Sequence, residues 1–425
     1  VRTAALVVRS GLYFSALPWH LFATVKLLPP RNDGRPGDDP IFALNKKAQL
    51  RKATGAMTIN ATVGALLEDD GTLAVLPSVI ETLRSVATQK MAAYAPISGD
   101  PQFLQAVIDD LLAGSSLRDI AVAAATPGGT GALRHAMSVF TEKNDAVVTA
   151  NYYWGPYATI ADEHERRLVT FAMFASDGAF DTEAFAKCLH ETAQTQGRVL
   201  VFLNDPCHNP TGYSMSDEEW AAVSEALVAQ SKRVPTTVLA DVAYLAFARD
   251  QKSFLKYLEP VAESGLLCFA WSGSKGFSLY GQRVGALIAC TQDSGQRDAV
   301  QRALTYACRG TWSNCNASGM DTVRRCLTEP SIAANVIAER ERLRTLLDAR
   351  VQAFNTHAKG TKLRYPRYDG GFFVTVFTDD SKKAMSTLES KGVFVVPGSG
   401  SLRVALCSVA ERDINALVQA LNEAI

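Results

Sequence analysis

Five short apolar runs, at residues 146–150, 199–204, 236–241, 266–271 and 284–290, recur between about residues 98 and 290, with helical patterning between them. Each run is apolar on consecutive residues rather than on alternate ones. That pattern suits strands covered on both faces, as in a mostly parallel sheet flanked by helices. Between two of the runs, Ser216-Asp217-Glu218-Glu219 has capping-box spacing and predicts a helix to about Ser231. Strand, helix, strand in this order predicts an α/β domain with crossover helices.

The pattern changes towards the C-terminus. Residues 332–354 carry a long helical pattern rich in Glu, Arg and Leu. Apolar runs at 372–377, 393–396 and 402–406 then predict strands, followed by a final helix after Ala410. This predicts a second, smaller α+β domain, with the boundary inside the long helix. No internal repeat or low-complexity block interrupts the chain.

A chain of 425 residues is long enough for two or three domains, each with its own core. Its 43 Lys and Arg balance 43 Asp and Glu, so the cationic surplus that nucleic-acid binding needs is missing. The eight cysteines, Cys188, Cys207, Cys268, Cys290, Cys308, Cys315, Cys326 and Cys407, form no C-x-x-C pair, and the six histidines have no metal-ligand spacing. Free thiols in a reducing compartment are expected, with no metal site.

Residues 1–32 contain no acidic side chain. The uncharged stretch Ser10–Val25 is too short for a membrane span and is broken by Pro18 and His20. The acid-poor start suits an organelle transit segment or an extension without a role. The location is thus expected to be cytoplasmic, or an organelle matrix if residues 1–30 are a transit segment. Residues 29–37, rich in Pro and Gly, read as a linker.

Three stretches carry the chemistry. Ser272-Gly273-Ser274-Lys275-Gly276-Phe277-Ser278-Leu279-Tyr280-Gly281-Gln282-Arg283 follows an apolar strand. A lysine placed there among small residues can enter a cleft, lose its water and become a nucleophile. Hydroxyls and an arginine beside it suit a phosphate. Asn204-Asp205-Pro206-Cys207-His208-Asn209-Pro210-Thr211-Gly212 and Asp241-Val242-Ala243-Tyr244 each end a strand, where ligands of open α/β sheets bind. A buried Asp241 needs a partner, such as a protonated ring nitrogen; a helix N-cap is the alternative. Upstream, Pro127-Gly128-Gly129-Thr130-Gly131 opens a helix whose free N–H groups can cradle an anion, or serves as a tight turn.

Together these residues resemble the pyridoxal-phosphate (PLP) aminotransferases of fold type I, in particular the aspartate and aromatic amino acid class. The similarity spans about residues 40–425. The resemblance implies a large domain with a mostly parallel seven-stranded sheet, at 76–340, and a smaller α+β domain at 341–425 joined by 40–75. Residues 1–39 would be an extension and linker.

On this resemblance, Lys275 matches the lysine that forms the Schiff base with PLP and moves the proton. Asp241 matches the carboxylate paired with the ring nitrogen. Tyr244 and Asn209 match the groups that hydrogen-bond the phenolic oxygen, and Trp154 the aromatic stacked on the ring. Gly129, Thr130, Ser272 and Arg283 match the phosphate site. Tyr94 matches a tyrosine reaching the phosphate of a neighbouring subunit, which implies a homodimer with shared active sites. Arg403 matches the clamp for the α-carboxylate and Gly64 a substrate-side backbone position. Arg309, 34 residues after Lys275, resembles a second clamp that reads a side-chain carboxylate from the other subunit. The family's two prolines in that loop are replaced here by Cys315-Asn316. The implied reaction moves an amino group between an L-amino acid, either aspartate/glutamate or aromatic, and a 2-oxo acid by a ping-pong route. A PLP-dependent C–S β-lyase on the same scaffold is the alternative.

Overall fold

Burial on both faces is the physical reason for the unbroken apolar runs. In the run 199–204, Val199, Val201 and Leu203 pack into one core layer, while Leu200 and Phe202 pack into another on the opposite face. Fully burying each such side chain contributes about 1.5–3 kcal/mol. The structure is a computed structural model and describes residues 27–37 and 40–425. The expected transit segment lies outside the described residues, apart from its last few positions. The described residues fall into two units, divided between Pro40 and Ile41. In the first, the linker holds one 3₁₀ turn at Pro30–Asn32.

The second unit holds twelve strands: β1 (Ile59–Asn60), β2 (Ala121–Pro127), β3 (Ala146–Ala150), β4 (Arg167–Phe171), β5 (Val199–Asn204), β6 (Thr236–Asp241), β7 (Leu266–Ser272), β8 (Val284–Cys290), β9 (Phe373–Phe377), β10 (Val393–Phe394), β11 (Val396–Gly398) and β12 (Ser401–Ala405). Seven of them form one sheet in the order β2-β8-β7-β6-β5-β3-β4. Only β8 runs antiparallel to its neighbours, so the sheet is mostly parallel. All five predicted runs are strands of this sheet. Two of its members, β2 and β4, are additional to those runs.

The capping box is formed as predicted: Ser216 Oγ accepts from Glu219 N, the Glu219 carboxylate accepts from Ser216 N, and the helix Asp217–Ser231 follows. The long C-terminal helix spans Pro330–Ala358, with proline in its first turn. Beyond it, β11, β12 and β9 form an antiparallel sheet, and β1 pairs with β10 in parallel. The predicted strand at 393–396 is therefore divided between two sheets. The β11–β12 hairpin turns at Ser399-Gly400, where Gly400 adopts a φ of +62°. The final helix is Ile414–Ala424. Among the described residues, no helix is long and apolar enough to cross a membrane. All eight cysteines are free thiols.

Candidate active site

Sheet topology brings the chemical residues to one end of the strands. Strands β2, β5, β6 and β7 all end there, and β8, running the other way, begins there. Hence Gly128 after β2, Asn204 and Asp241 at the ends of β5 and β6, Lys275 after β7 and Arg283 before β8 converge. A cleft of about 170 Å³ lies among them, lined by Gly129, Thr130, Trp154, Asn209, Asp241, Tyr244, Ser272, Lys275 and Arg283. These nine are the predicted cofactor-site residues with the exception of Tyr94.

Lys275 sits in the short helix Gly273–Gly276, which Ser272 caps by accepting from Ser274 N at 3.2 Å. Its Nζ lies 4.7 Å from the Tyr280 ring centre, 5.7 Å from that of Tyr244 and 5.8 Å from that of Phe372. Burial among these rings brings the lysine pKa down to about 8; the positive charges of Arg283 and Arg403 act the same way, while Cys407 and Asp241 oppose it. A sizeable neutral fraction at physiological pH makes it a usable base.

Asp241 is buried, and burial raises its pKa against hydrogen bonds from Tyr157 and Ala243 and the charge of Lys275. It does not cap a helix. Its Oδ2 accepts from the Tyr157 hydroxyl at 2.7 Å and its Oδ1 from Ala243 N at 3.3 Å. Asn204, its register partner on β5, donates from Nδ2 to the Asp241 carbonyl at 2.8 Å and accepts from Asn209 N at 2.6 Å. Asn209 Nδ2 in turn lies 3.3 Å from the Tyr244 hydroxyl.

The phosphate end is built differently. The helix Gly128–Phe140 has no side-chain cap, because proline occupies its N-cap position, and its first turn carries no acid. Its leading N–H groups and the positive end of its dipole thus face the cleft without a side-chain cap. Arg283, at a left-handed φ of +54°, donates to the Tyr280 and Pro127 carbonyls at 2.9 and 3.3 Å. A β-carbon on Gly128 would stand 2.5 Å from Arg283 Nη2, so the loop has room for the arginine only because residue 128 is glycine.

These residues fit PLP. The uncapped helix start and Arg283 suit a phosphate dianion. The buried Asp241 suits a protonated ring nitrogen. Asn209 Oδ1 is buried and has no hydrogen-bond partner among the described residues, so one end of its amide is left for a ligand.

A second cavity, of about 560 Å³, adjoins the cleft and shares Trp154 and Asn209 with it. Arg403 lines it, with Nη2 donating to the Thr62 carbonyl at 2.7 Å and the guanidinium 4.6 Å from the Phe373 ring centre. Gly64 lies under the same ring: a β-carbon there would come within 2.4 Å of Phe373 Cζ. Two predicted residues stay away from this chain's own cleft. Tyr94 is 92% exposed, and Arg309, in the last turn of the helix Ser294–Thr311, is exposed and donates to Ser313 Oγ at 2.7 Å.

Sequence reasoning gave no role to Tyr157, Asn204 or Phe373. Asn204 stands in the strand-end turn that also carries Asn209, whereas Tyr157 and Phe373 lie in no turn signal or polar cluster; each acquires its contact with the site only through the tertiary fold.

A family model for class I and II aminotransferases matches residues 56–421. Similar proteins include an L-tyrosine:2-oxoglutarate aminotransferase of Aspergillus ustus, 30% identical over 70% of this chain and 59% of that longer protein. An aspartate aminotransferase of Salmonella typhi is 30% identical over 86% of this chain and 93% of its own length. The crystal structure of an aminotransferase from Anaerococcus prevotii superposes with a TM-score of 0.88 at 32% identity, covering 94% of this chain and 99% of that one. The chain therefore belongs to the class I and II aminotransferases, PLP-dependent enzymes that move an amino group between an amino acid and a 2-oxo acid.

Proposed function

We propose that this chain moves the amino group of an L-amino acid to a 2-oxo acid at the cleft around Lys275, with aromatic amino acids among its donors. The observation that carries this reading is Lys275, its charge suppressed by burial, in one cleft with the buried Asp241. Gly129, Thr130, Ser272 and Arg283 would hold the PLP phosphate, Asp241 the ring nitrogen, Asn209 and Tyr244 the phenolic oxygen, and Trp154 the ring face. Bound there, PLP supplies an electron sink for the pair left at the α-carbon. Lys275 Nζ takes the α-proton as a base and gives it back as an ammonium. The Tyr244, Tyr280 and Phe372 rings around Nζ keep water from it. Arg403 binds the substrate α-carboxylate through its planar fork, which fixes both charge and plane.

The cavity beside Arg403 supports an aromatic donor. Tyr152, Tyr153, Trp154, Val396 and Pro397 line it, and Arg403 is the one charged side chain in that lining. A dicarboxylate would need a second cation, for which we propose Arg309 of a neighbouring copy. The same reading makes the protein a homodimer: Tyr94 and Arg309, both exposed, would complete the other subunit's site. Within each subunit we take 76–340 as the large domain and 40–75 with 341–425 as the small one. The location we propose is cytoplasmic, or an organelle matrix if residues 1–30 direct the chain there. Family membership favours amino-group transfer over C–S β-elimination, and no contact in the cleft favours the latter.

The test is the absorbance spectrum of the purified holoenzyme on adding L-phenylalanine or L-aspartate. Loss of the visible cofactor band with phenylalanine, and its return with a 2-oxo acid, is expected. A band that neither donor changes refutes the substrate reading. An equal response to aspartate that Arg309→Ala abolishes would support the second clamp.

A further inference from the structure

The roles proposed above give no function to the hydroxyl of Tyr157. Tyr157, in the first turn of the helix Pro156–Glu163, is 1% exposed, yet its hydroxyl reaches Asp241 Oδ2 at 2.7 Å. Its ring has little freedom. Phe202 of β5 meets it edge-on at 5.2 Å and Trp154 at 6.0 Å. The hydroxyl is therefore held at the carboxylate by rigid aromatic packing rather than by a flexible chain.

We propose that Tyr157 is a positioning residue for the reaction: its hydroxyl holds Asp241 as an oriented anion for the ring nitrogen of PLP. This rests on the reading of Asp241 given above. The carboxylate is steered from three directions. Tyr157 takes one lone pair of Oδ2, Ala243 N takes one of Oδ1, and Asn204 Nδ2 anchors the residue's own carbonyl. Each carboxylate oxygen accepts more than one hydrogen bond, so acceptor capacity remains for the cleft.

The chemistry of the donor matters as much as its place. Lys275 and the Tyr244 hydroxyl are the other titratable groups that act on Asp241 or feel its charge. Burial, then the charge of Asp241, pushes the Tyr157 pKa well above the usual phenol value, so the hydroxyl stays protonated and donates at every working pH. A phenol adds no positive charge of its own. It opposes the rise that burial imposes on Asp241, keeping the carboxylate ionised while leaving the pyridine-type nitrogen to supply the cation. Without it, Asp241 becomes more basic and competes for the proton on that nitrogen.

The test is a double-mutant cycle on the holoenzyme with Tyr157→Phe, Asp241→Asn and both together. The readouts are the dissociation constant for PLP and the pH midpoint of the visible absorption band. Tyr157→Phe is expected to weaken PLP about 10- to 100-fold, the range for one hydrogen bond to a charged group. The band midpoint should move up, because a less positive ring lets the Lys275 nitrogen keep its proton to higher pH. In the Asp241→Asn background the same substitution should change PLP affinity by less than about twofold. Equal losses in both backgrounds would mean packing alone, and no change in either readout would remove the role; both overturn the proposal. If Asp241→Asn itself alters neither PLP binding nor the band, the assignment of Asp241 fails first. Should Tyr157→Phe not fold, 3-fluorotyrosine at position 157 keeps the ring and strengthens the donor. The midpoint should then move down, and an unmoved or raised midpoint overturns the proposal.

Discussion

Replacing Gly128 by alanine should damage cofactor binding far more than it damages the fold. Gly128 has a φ of +72°, in the left-handed region that costs other residues about 1–2 kcal/mol. That strain is the stability cost, worth a fall of about 1–2 °C in Tm for a chain of this size. The functional cost comes from the new β-carbon, which would stand 2.5 Å from Arg283 Nη2 and 2.9 Å from its Cζ. The backbone cannot retreat, because Gly285 of β8 lies against it: a β-carbon on Gly285 would already meet the Gly128 carbonyl carbon at 2.5 Å. The guanidinium must therefore move, and with it the hydrogen bonds it would give to a phosphate. One charge-assisted bond is worth about 1.5–3 kcal/mol, so PLP affinity should fall at least about 10- to 100-fold. Fluorescence titration of the apoprotein with PLP, beside a thermal melt, separates the two costs. A variant that melts lower yet binds PLP as well as the parent would refute the placing of Arg283 at the phosphate.

Arg403→Met should lower kcat/KM for every amino donor about a hundredfold, the cost of losing a bidentate carboxylate contact, while leaving PLP affinity unchanged; steady-state kinetics with PLP titration checks both. Lys275 in the apoprotein should react with amine-directed reagents with a midpoint near pH 8, reactivity rising above it as the neutral amine forms. Mass-spectrometric labelling across pH reads that midpoint, and a value at the ordinary 10.5 would contradict the burial argument. Asp205, which accepts from Met215 N and Trp220 Nε1, has its pKa pushed up to about 7 by burial. A carboxyl with a raised folded pKa destabilises the fold as pH rises from its unfolded value of 3.8 to about 7. Asp205→Asn should therefore become progressively more stabilising, relative to the parent, as pH climbs through that window in thermal melts.

The parts legible in the sequence share a physical cause. Strands β3, β5, β6, β7 and β8 are covered on both faces, so their signal sits on consecutive residues. Lys275, Asp241 and Asn209 lie in compact strand-end motifs and could be placed before any fold was known. Strand β2 was not legible because four of its seven residues are alanine, a helix former, and its place comes from pairing with β8. Strand β4 sits at the sheet edge, with Arg167 and Thr170 exposed, which dilutes the apolar run. The division of 393–396 was equally hidden, since one apolar run serves two sheets. Tyr157 was missed for a different reason: as an aromatic residue opening a helix it reads as core packing, and its meaning appears only when the fold brings Asp241 to its hydroxyl.

The central claim is that PLP is held covalently by Lys275 and works there. Borohydride reduction of the holoenzyme, followed by proteolysis and mass spectrometry, tests this most directly. The account predicts one PLP per chain, on the peptide containing Lys275, and no such adduct in Lys275→Ala. PLP fixed to another lysine, or an undiminished yield in Lys275→Ala, would contradict it.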